Sequence, residues 1–141
     1  MAAVLNKLIQ AYQVSSVTLL GHSGGGTLAM LIAPSIAELK TLVTISGNLD
    51  TDAWASKHGY TQLSGSLNPA NQQPVPKSIE QYHYFGRKDR NIPLPAVIEF
   101  LESREGMNIR IVDYCGHTDC WEMFCQKGCS VGEFNREIKD Y

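Results

Sequence analysis

A serine framed by glycines is the residue of this sequence whose setting most directly suggests chemistry. Ser23 lies between Gly21 and Gly25 in a Gly-x-Ser-x-Gly motif. The apolar residues 17–20 predict a strand and residues 27–33 predict a helix, so the motif joins the two through a sharp turn. The glycines let two backbones pass closely, which lifts the Ser23 hydroxyl beyond the end of the sheet and strains the backbone there. Ser23 is therefore a candidate nucleophile.

The same glycines also fit an ordinary surface turn or a loop that cradles phosphate. A phosphate-binding loop needs a lysine beside its last glycine, and residues 24–28 contain none. The order of strand, turn and helix favours the nucleophile.

A serine hydroxyl needs a base to take its proton and a carboxylate to orient that base. Residue patterns predict strands at 81–85 and 108–114. Asp89 follows the first of these strands, and His117 follows the second. The carboxyl ends of the strands are where open α/β sheets bind ligands. We therefore expect Asp89 and His117 to meet Ser23 at one edge of a parallel sheet.

Other acids and histidines compete for these roles. Asp50 follows a short buried strand at 41–45 and Asp113 lies inside a strand, so Asp89 ranks ahead of both. His22, within the serine motif, is expected to pack beneath the turn. Of the remaining two histidines, His83 lies within a strand and His58 lies in a loop-like stretch.

In these motifs the chain resembles the C-terminal part of an α/β-hydrolase-fold serine hydrolase. Ser23 matches the serine of the family's nucleophile elbow, and His117 matches the histidine after the eighth strand. Asp89 matches the acid after the seventh strand, in the Gly-x-x-Asp-x-x-Ile-Pro setting of residues 86–93. The resemblance covers nearly all of the chain. Two further strings similar to bacterial hydrolases of this fold are 46–50 and 117–121.

The resemblance implies a serine hydrolase that cleaves an ester or related acyl bond of a small molecule through an acyl-enzyme intermediate, without a metal or organic cofactor. It also implies that the backbone N–H of Gly24 is one oxyanion donor, and that a second donor comes from a loop after the family's third strand. The alternative is a catalytically weak or inactive truncated module that binds a partner or ligand through the old cleft.

The length of 141 residues predicts one domain, 1–141, of the α/β class. We expect a parallel sheet of about four strands, equivalent to strands 5–8 of the family and flanked by helices. Residues 1–12 predict an amphipathic helix that leads directly into the serine strand, and residues 131–141 predict a last surface helix. The first half of the fold is therefore expected to be absent. The serine strand would then expose an apolar edge that favours self-association or pairing with a missing N-terminal half.

A long excursion rich in Gly, Ser, Asn, Gln and Pro spans about 50–79. Excursions of this length are often lids or binding loops. Trp54 and Tyr60 would line an acyl or aromatic pocket there, or anchor the loop to the body of the domain.

Four cysteines, at positions 115, 120, 125 and 129, surround His117 in sequence. Their spacing lacks the paired short intervals of structural zinc sites, which disfavours a metal. Disulfides in an exported protein and free thiols in a reducing cytoplasm both remain open, with three pairings possible.

A net charge of −2 and scattered basic residues give no indication of a nucleic-acid partner. No apolar run is long enough to span a membrane. Because the native N-terminus is expected to be absent, the sequence does not fix the compartment.

Overall fold

The computed structural model of the chain describes residues 1–122, in which four parallel strands form one sheet flanked by helices. The predicted fold class is confirmed. The helix predicted at 131–141, together with Cys125 and Cys129, lies outside the described residues. Within 1–122, no helix combines the length and the apolar character needed to cross a bilayer.

The helices and strands alternate along the chain. They are α1 (Ala2–Ala11), β1 (Val17–His22), α2 (Gly24–Ile32), β2 (Leu39–Ile45), α3 (Thr51–His58), β3 (Glu80–Gly86), α4 (Ile98–Glu102) and β4 (Met107–Val112). Short 3-10 helices lie at Ala33–Ser35, Pro69–Asn71 and Leu94–Ala96.

The strand order in space is β1-β2-β3-β4, the same as in sequence, and each neighbouring pair is parallel. Parallel neighbours require a crossover between strands, and here helical segments supply each one. All four carboxyl ends consequently lie at the same edge of the sheet. The segments that follow β1, β3 and β4 meet there.

The sheet is packed on both faces, which explains why β2 reads as an apolar run. On one face Leu42 and Phe85 pack with Ile9 of α1 and Met30 of α2. On the other face a smaller cluster forms around buried residues of three strands and of the loop after β4. Its members are Val43, Ile45, Tyr84, Val112, Cys115 and Trp121.

Strand β1 lies at one end of the described sheet and leaves one face partly uncovered. Leu20 is 47% exposed there, on the same face of β1 as the exposed side chains of Thr18 and His22. Val4 and Leu8 of α1 are also exposed. The sequence predicted that an exposed apolar edge of this strand favours self-association. Self-association itself stays a prediction.

Helix α3 is the main departure from the sequence reading, because it lies inside the excursion at 50–79. Asp50 begins the helix, and its carboxylate accepts hydrogen bonds from the backbone N–H groups of Asp52 and Ala53, each at 3.1 Å. Gly59 ends it in the left-handed conformation, with φ of 68°. Asp50, the rival candidate acid, is thus a helix cap.

His83 is a buried histidine whose ionisation opposes folding. Its Nδ1 lies 2.8 Å from Oγ1 of Thr44, and its Nε2 has no hydrogen-bond partner among the described residues. Burial lowers the pKa of His83 from 6.5 to about 4. Between these two values the unfolded chain binds a proton that the folded chain does not.

We therefore predict that the free energy of unfolding falls as the pH drops from about 6.5 to about 4, with His83 contributing roughly 3 kcal/mol of that loss. Urea denaturation at pH 7, 5.5 and 4 measures it. In His83→Gln the pH dependence should be shallower, whatever its stability at pH 7. Equal pH dependence in the two proteins would contradict the assignment.

Candidate active site

Ser23 occupies the sharp turn between β1 and α2. Its backbone has φ of 54° and ψ of −123°, a conformation that costs a residue with a side chain about 1–3 kcal/mol. Gly21 permits the turn, because a Cβ there would collide with the carbonyl of Gly25. A Cβ on Gly26 would lie 3.0 Å from Cα of Gly47. A Cβ on Gly25 would meet open space. The sequence predicted that both glycines are needed for close backbone approach; the structure shows this for Gly21 and not for Gly25.

The three side chains expected to converge do so at the carboxyl edge of the sheet. Oγ of Ser23 lies 2.9 Å from Nε2 of His117. Nδ1 of His117 lies 2.9 Å from Oδ2 of Asp89. With the carboxylate accepting the Nδ1–H, the neutral ring presents a lone pair at Nε2 to the serine hydroxyl. The residues come from the segments after β1, β3 and β4.

The carboxylate of Asp89 is completely buried, while the ring of His117 is 19% exposed. Oδ1 of Asp89 accepts hydrogen bonds from the backbone N–H groups of Asn91 and Ile92, each at 2.8 Å. Both carboxylate oxygens thus accept hydrogen bonds, which offsets the free-energy cost of burying the charge. The bonds to Oδ1 also fix the direction in which Oδ2 points.

Backbone contacts hold the loop after β4 against the loop after β3. The N–H of Arg87 donates to the carbonyl of Val112, and the N–H of Lys88 donates to that of Cys115, both at 2.9 Å. A Cβ at Gly86 would collide with the carbonyl of Cys115. Only glycine allows the two loops to approach so closely, and this approach brings His117 to Asp89.

A disulfide joins Cys115 to Cys120, with their Cα atoms 5.5 Å apart, and closes a short loop around His117. This is one of the bonds that the sequence left open. The buried indole of Trp121 donates to the carbonyls of Gly116 at 3.0 Å and His117 at 3.1 Å. In residues 1–122, no group of three or more histidine, cysteine or acidic side chains could hold a metal ion.

His22 has a different environment from the one expected. It is exposed instead of packed beneath the turn, and its Nε2–H donates to the backbone carbonyl of His117 at 2.7 Å. The expectation was wrong because side chains alternate along β1, and the face that carries His22 is the uncovered one. The variable residue of the serine motif therefore supports the loop that carries the imidazole.

Asn91 is a residue near the site that sequence reasoning did not identify. Its Nδ2 lies 3.0 Å from Nε2 of His117. Its backbone carbonyl accepts hydrogen bonds from Nε1 of Trp54 at 2.7 Å and from Nε2 of His58 at 2.9 Å. Its place two residues after Asp89 was the only sequence signal.

Trp54 and Tyr60 form a small aromatic group with His58. The ring centroid of Trp54 lies 5.2 Å from that of His58 and 5.4 Å from that of Tyr60. Through its bond to Asn91, Trp54 fastens α3 to the loop of Asp89, whereas Tyr60 is 58% exposed. Contact of these two rings with a substrate stays a prediction.

Gly24 begins α2 directly after Ser23. As the first helical residue, its N–H has no preceding helical carbonyl to bind, so it is available to an external acceptor. The N-terminus of a helix also carries partial positive charge. The arrangement offers a hydroxyl, a base, a buried acid and a donor for developing negative charge within one small region.

Comparison with known proteins agrees with the fold described above. Residues 1–50 match the lipase (class 3) family. An α/β-hydrolase enzyme from the metagenome of lagoon sediments of Mar Chica, Morocco, has a similar structure, with a TM-score of 0.67 and 20% identity over 96% of this chain and 68% of that one. No curated protein sequence matches the chain closely enough to count as a relative.

Two esterase structures are also similar. An esterase from Pyrococcus furiosus has a TM-score of 0.63 and 18% identity over 89% of this chain and 55% of its own. The esterase domain of a Rhodothermus marinus protein has a TM-score of 0.56 and 15% identity over 79% of this chain and 55% of its own. The chain thus spans about half to two thirds of the length of these proteins, and it has the α/β-hydrolase fold.

The serine turn predicts opposite outcomes for two glycine-to-alanine changes. Gly21→Ala should lower the free energy of unfolding by at least about 2 kcal/mol, because the new Cβ collides with backbone. Gly25→Ala is the matched control. It adds the same methyl group within α2, where space is open, and should leave stability equal or raise it by about 0.5–1 kcal/mol. Urea unfolding measures both, and equal losses would argue against this turn geometry.

Proposed function

We propose that this chain is a serine hydrolase that cleaves an ester or a related acyl bond, with Ser23 as nucleophile, His117 as base and Asp89 as the orienting acid. The observation that carries the proposal is the continuous chain of contacts, 2.9 Å from Ser23 to His117 and 2.9 Å from His117 to Asp89. The first pair lies 94 residues apart in sequence and the second 28, so local chain geometry does not account for it.

The reaction follows from the positions of these groups. Nε2 of His117 takes the proton as Oγ of Ser23 attacks the acyl carbon, and Asp89 stabilises the imidazolium that forms. The tetrahedral oxyanion accepts a hydrogen bond from the N–H of Gly24. The imidazolium then returns its proton to the leaving oxygen as the carbon–oxygen bond breaks. Water attacks the acyl-enzyme through the same base and releases the acid and Ser23.

Electrostatics support these roles. Asp89 is buried and faces two backbone N–H groups, so its charge is held in place without reorganisation. The ring of His117 is largely shielded from solvent, which strengthens its interaction with that charge. The N-terminus of α2 favours the negative charge that develops beside Gly24.

The preference for an acyl-oxygen bond draws on the comparisons. The family that matches residues 1–50 is a lipase family, and two of the similar structures are esterases. The resemblance implies a second oxyanion donor from a loop before the serine strand. Since loss of one such donor reduces turnover by roughly a hundredfold or more, the rate depends on whether a second N–H group joins that of Gly24.

A non-catalytic module that binds a partner is the second candidate. The observation that favours it is the edge strand β1, on which the apolar side chain of Leu20 is 47% exposed. Such a module would keep the fold and the cleft without the chemistry.

Covalent labelling with a fluorophosphonate separates the two candidates. The probe should attach to Ser23, because it places phosphorus where the acyl carbon would lie and fluoride where the leaving group would lie. Peptide mass spectrometry locates the adduct. Ser23→Ala should not be labelled, whereas Ser64→Ala, which removes an exposed loop hydroxyl, should react like the parent.

Asp89→Asn should slow labelling by roughly 10³–10⁴-fold, since an amide does not hold the imidazole in the required tautomer. Absence of any adduct in folded parent protein would contradict the hydrolase and favour the binding module.

A further inference from the structure

We propose that the side chain of Asn91 binds the leaving-group oxygen of the substrate and makes the site selective for esters of ordinary aliphatic alcohols. This inference rests on the proposed function and deepens it. Asn91 is exposed at the mouth of the site, and its Nδ2 lies 3.0 Å from the atom that must deliver the proton, Nε2 of His117.

The position of the leaving oxygen follows from proton transfer. Nε2 of His117 takes a proton from Oγ of Ser23 at 2.9 Å and must give it to the leaving oxygen, which therefore has to approach to about 3 Å. Asn91 contacts the same nitrogen, Nε2, that Ser23 contacts. A leaving oxygen that approaches Nε2 on the side of Asn91 therefore comes within hydrogen-bonding distance of Nδ2.

The amide also changes partner in the course of the reaction. At rest Asp89 accepts the Nδ1–H, so Nε2 carries one lone pair, which the hydroxyl of Ser23 and the side-chain amide of Asn91 share as donors. Once Nε2 has taken the serine proton, it can no longer accept. Two donors, Nε2–H and Nδ2–H, then face the same space. A leaving oxygen there receives both hydrogen bonds as its charge grows.

The rest of Asn91 is held in place by its backbone. Its N–H donates to Oδ1 of Asp89 at 2.8 Å. Its carbonyl accepts from Trp54 at 2.7 Å and from His58 at 2.9 Å. These contacts fix the backbone from which the side-chain amide projects, and none of them involves the amide itself. Replacing that side chain leaves all three backbone contacts available.

An alkoxide is the leaving group that gains most from a second donor. Nitrophenolate is stable as an anion and departs with little help, whereas ethoxide needs both a proton and stabilisation of its charge. The test compares hydrolysis of ethyl acetate, followed by pH-stat, with that of p-nitrophenyl acetate, which carries the same acyl group.

In Asn91→Leu, kcat/KM for ethyl acetate should fall by about tenfold or more, the value of one charge-assisted hydrogen bond. For p-nitrophenyl acetate it should change by less than about threefold. Asn91→Gln, which keeps an amide donor, should recover part of the ethyl acetate activity. Gln10→Leu makes a comparable amide-to-leucine change on the exposed face of α1 and should alter neither rate.

Equal losses for both esters would overturn the inference, because a merely structural role does not distinguish leaving groups. A parent protein that cleaves p-nitrophenyl acetate and leaves ethyl acetate intact would also overturn it. Labelling by the fluorophosphonate keeps the two proposals apart. A parent protein that is not labelled fails as a hydrolase, whereas a labelled Asn91→Leu variant with equal losses fails only the assignment of Asn91.

Discussion

The parallel direction of the four strands is the constraint on which the site depends. Because each strand ends at the same edge of the sheet, the segments after β1, β3 and β4 are neighbours in space despite their distance in sequence. Ser23 lies one residue, Asp89 three residues and His117 five residues after the end of its strand. Antiparallel pairing of any one strand would carry its residue to the opposite edge. Hydrogen bonding between strands thus determines the distance between the candidate nucleophile and its base.

Close approach of backbone segments brings the three side chains from neighbouring loops to within hydrogen-bonding distance of one another. Gly21 allows β1 to turn sharply into α2, and Gly86 lets the loop after β4 lie against the loop after β3. The strained backbone of Ser23 persists because packing on both faces of the sheet over-determines it. The fold itself therefore orients the side chain of Ser23, which limits the reorganisation that the proposed reaction would require.

The sequence predicted the parts of this site that depend on local pattern. Apolar runs, the glycine-framed Ser23 and the positions of Asp89 and His117 after strands were enough to predict the fold class and the convergence. Helix α3 was missed because its eight residues show little apolar periodicity and lie within a segment otherwise rich in Gly, Ser, Asn, Gln and Pro. Asp50 looked like a candidate acid because it follows β2, and the same position lets it cap α3.

Contacts between segments far apart in the chain could not be predicted from local sequence patterns. His22 binds a carbonyl 95 residues away and Asn91 contacts a ring 26 residues away. No periodicity encodes either pair, since each arises only when two loops meet. The disulfide partner of Cys115 was undetermined for the same reason, because spacing allows several pairings and only the path of the loop selects Cys120.

In the proposed site the imidazole of His117 is held in one tautomer between the carboxylate of Asp89, which accepts, and the hydroxyl of Ser23. Nitrogen-15 NMR of histidine-labelled protein at a pH where this ring is neutral tests it directly, with His117→Gln to assign the signals. We expect a protonated Nδ1 that is protected from solvent exchange and an unprotonated Nε2. A ring protonated at Nε2, or one whose two nitrogens average as in free histidine, would contradict it.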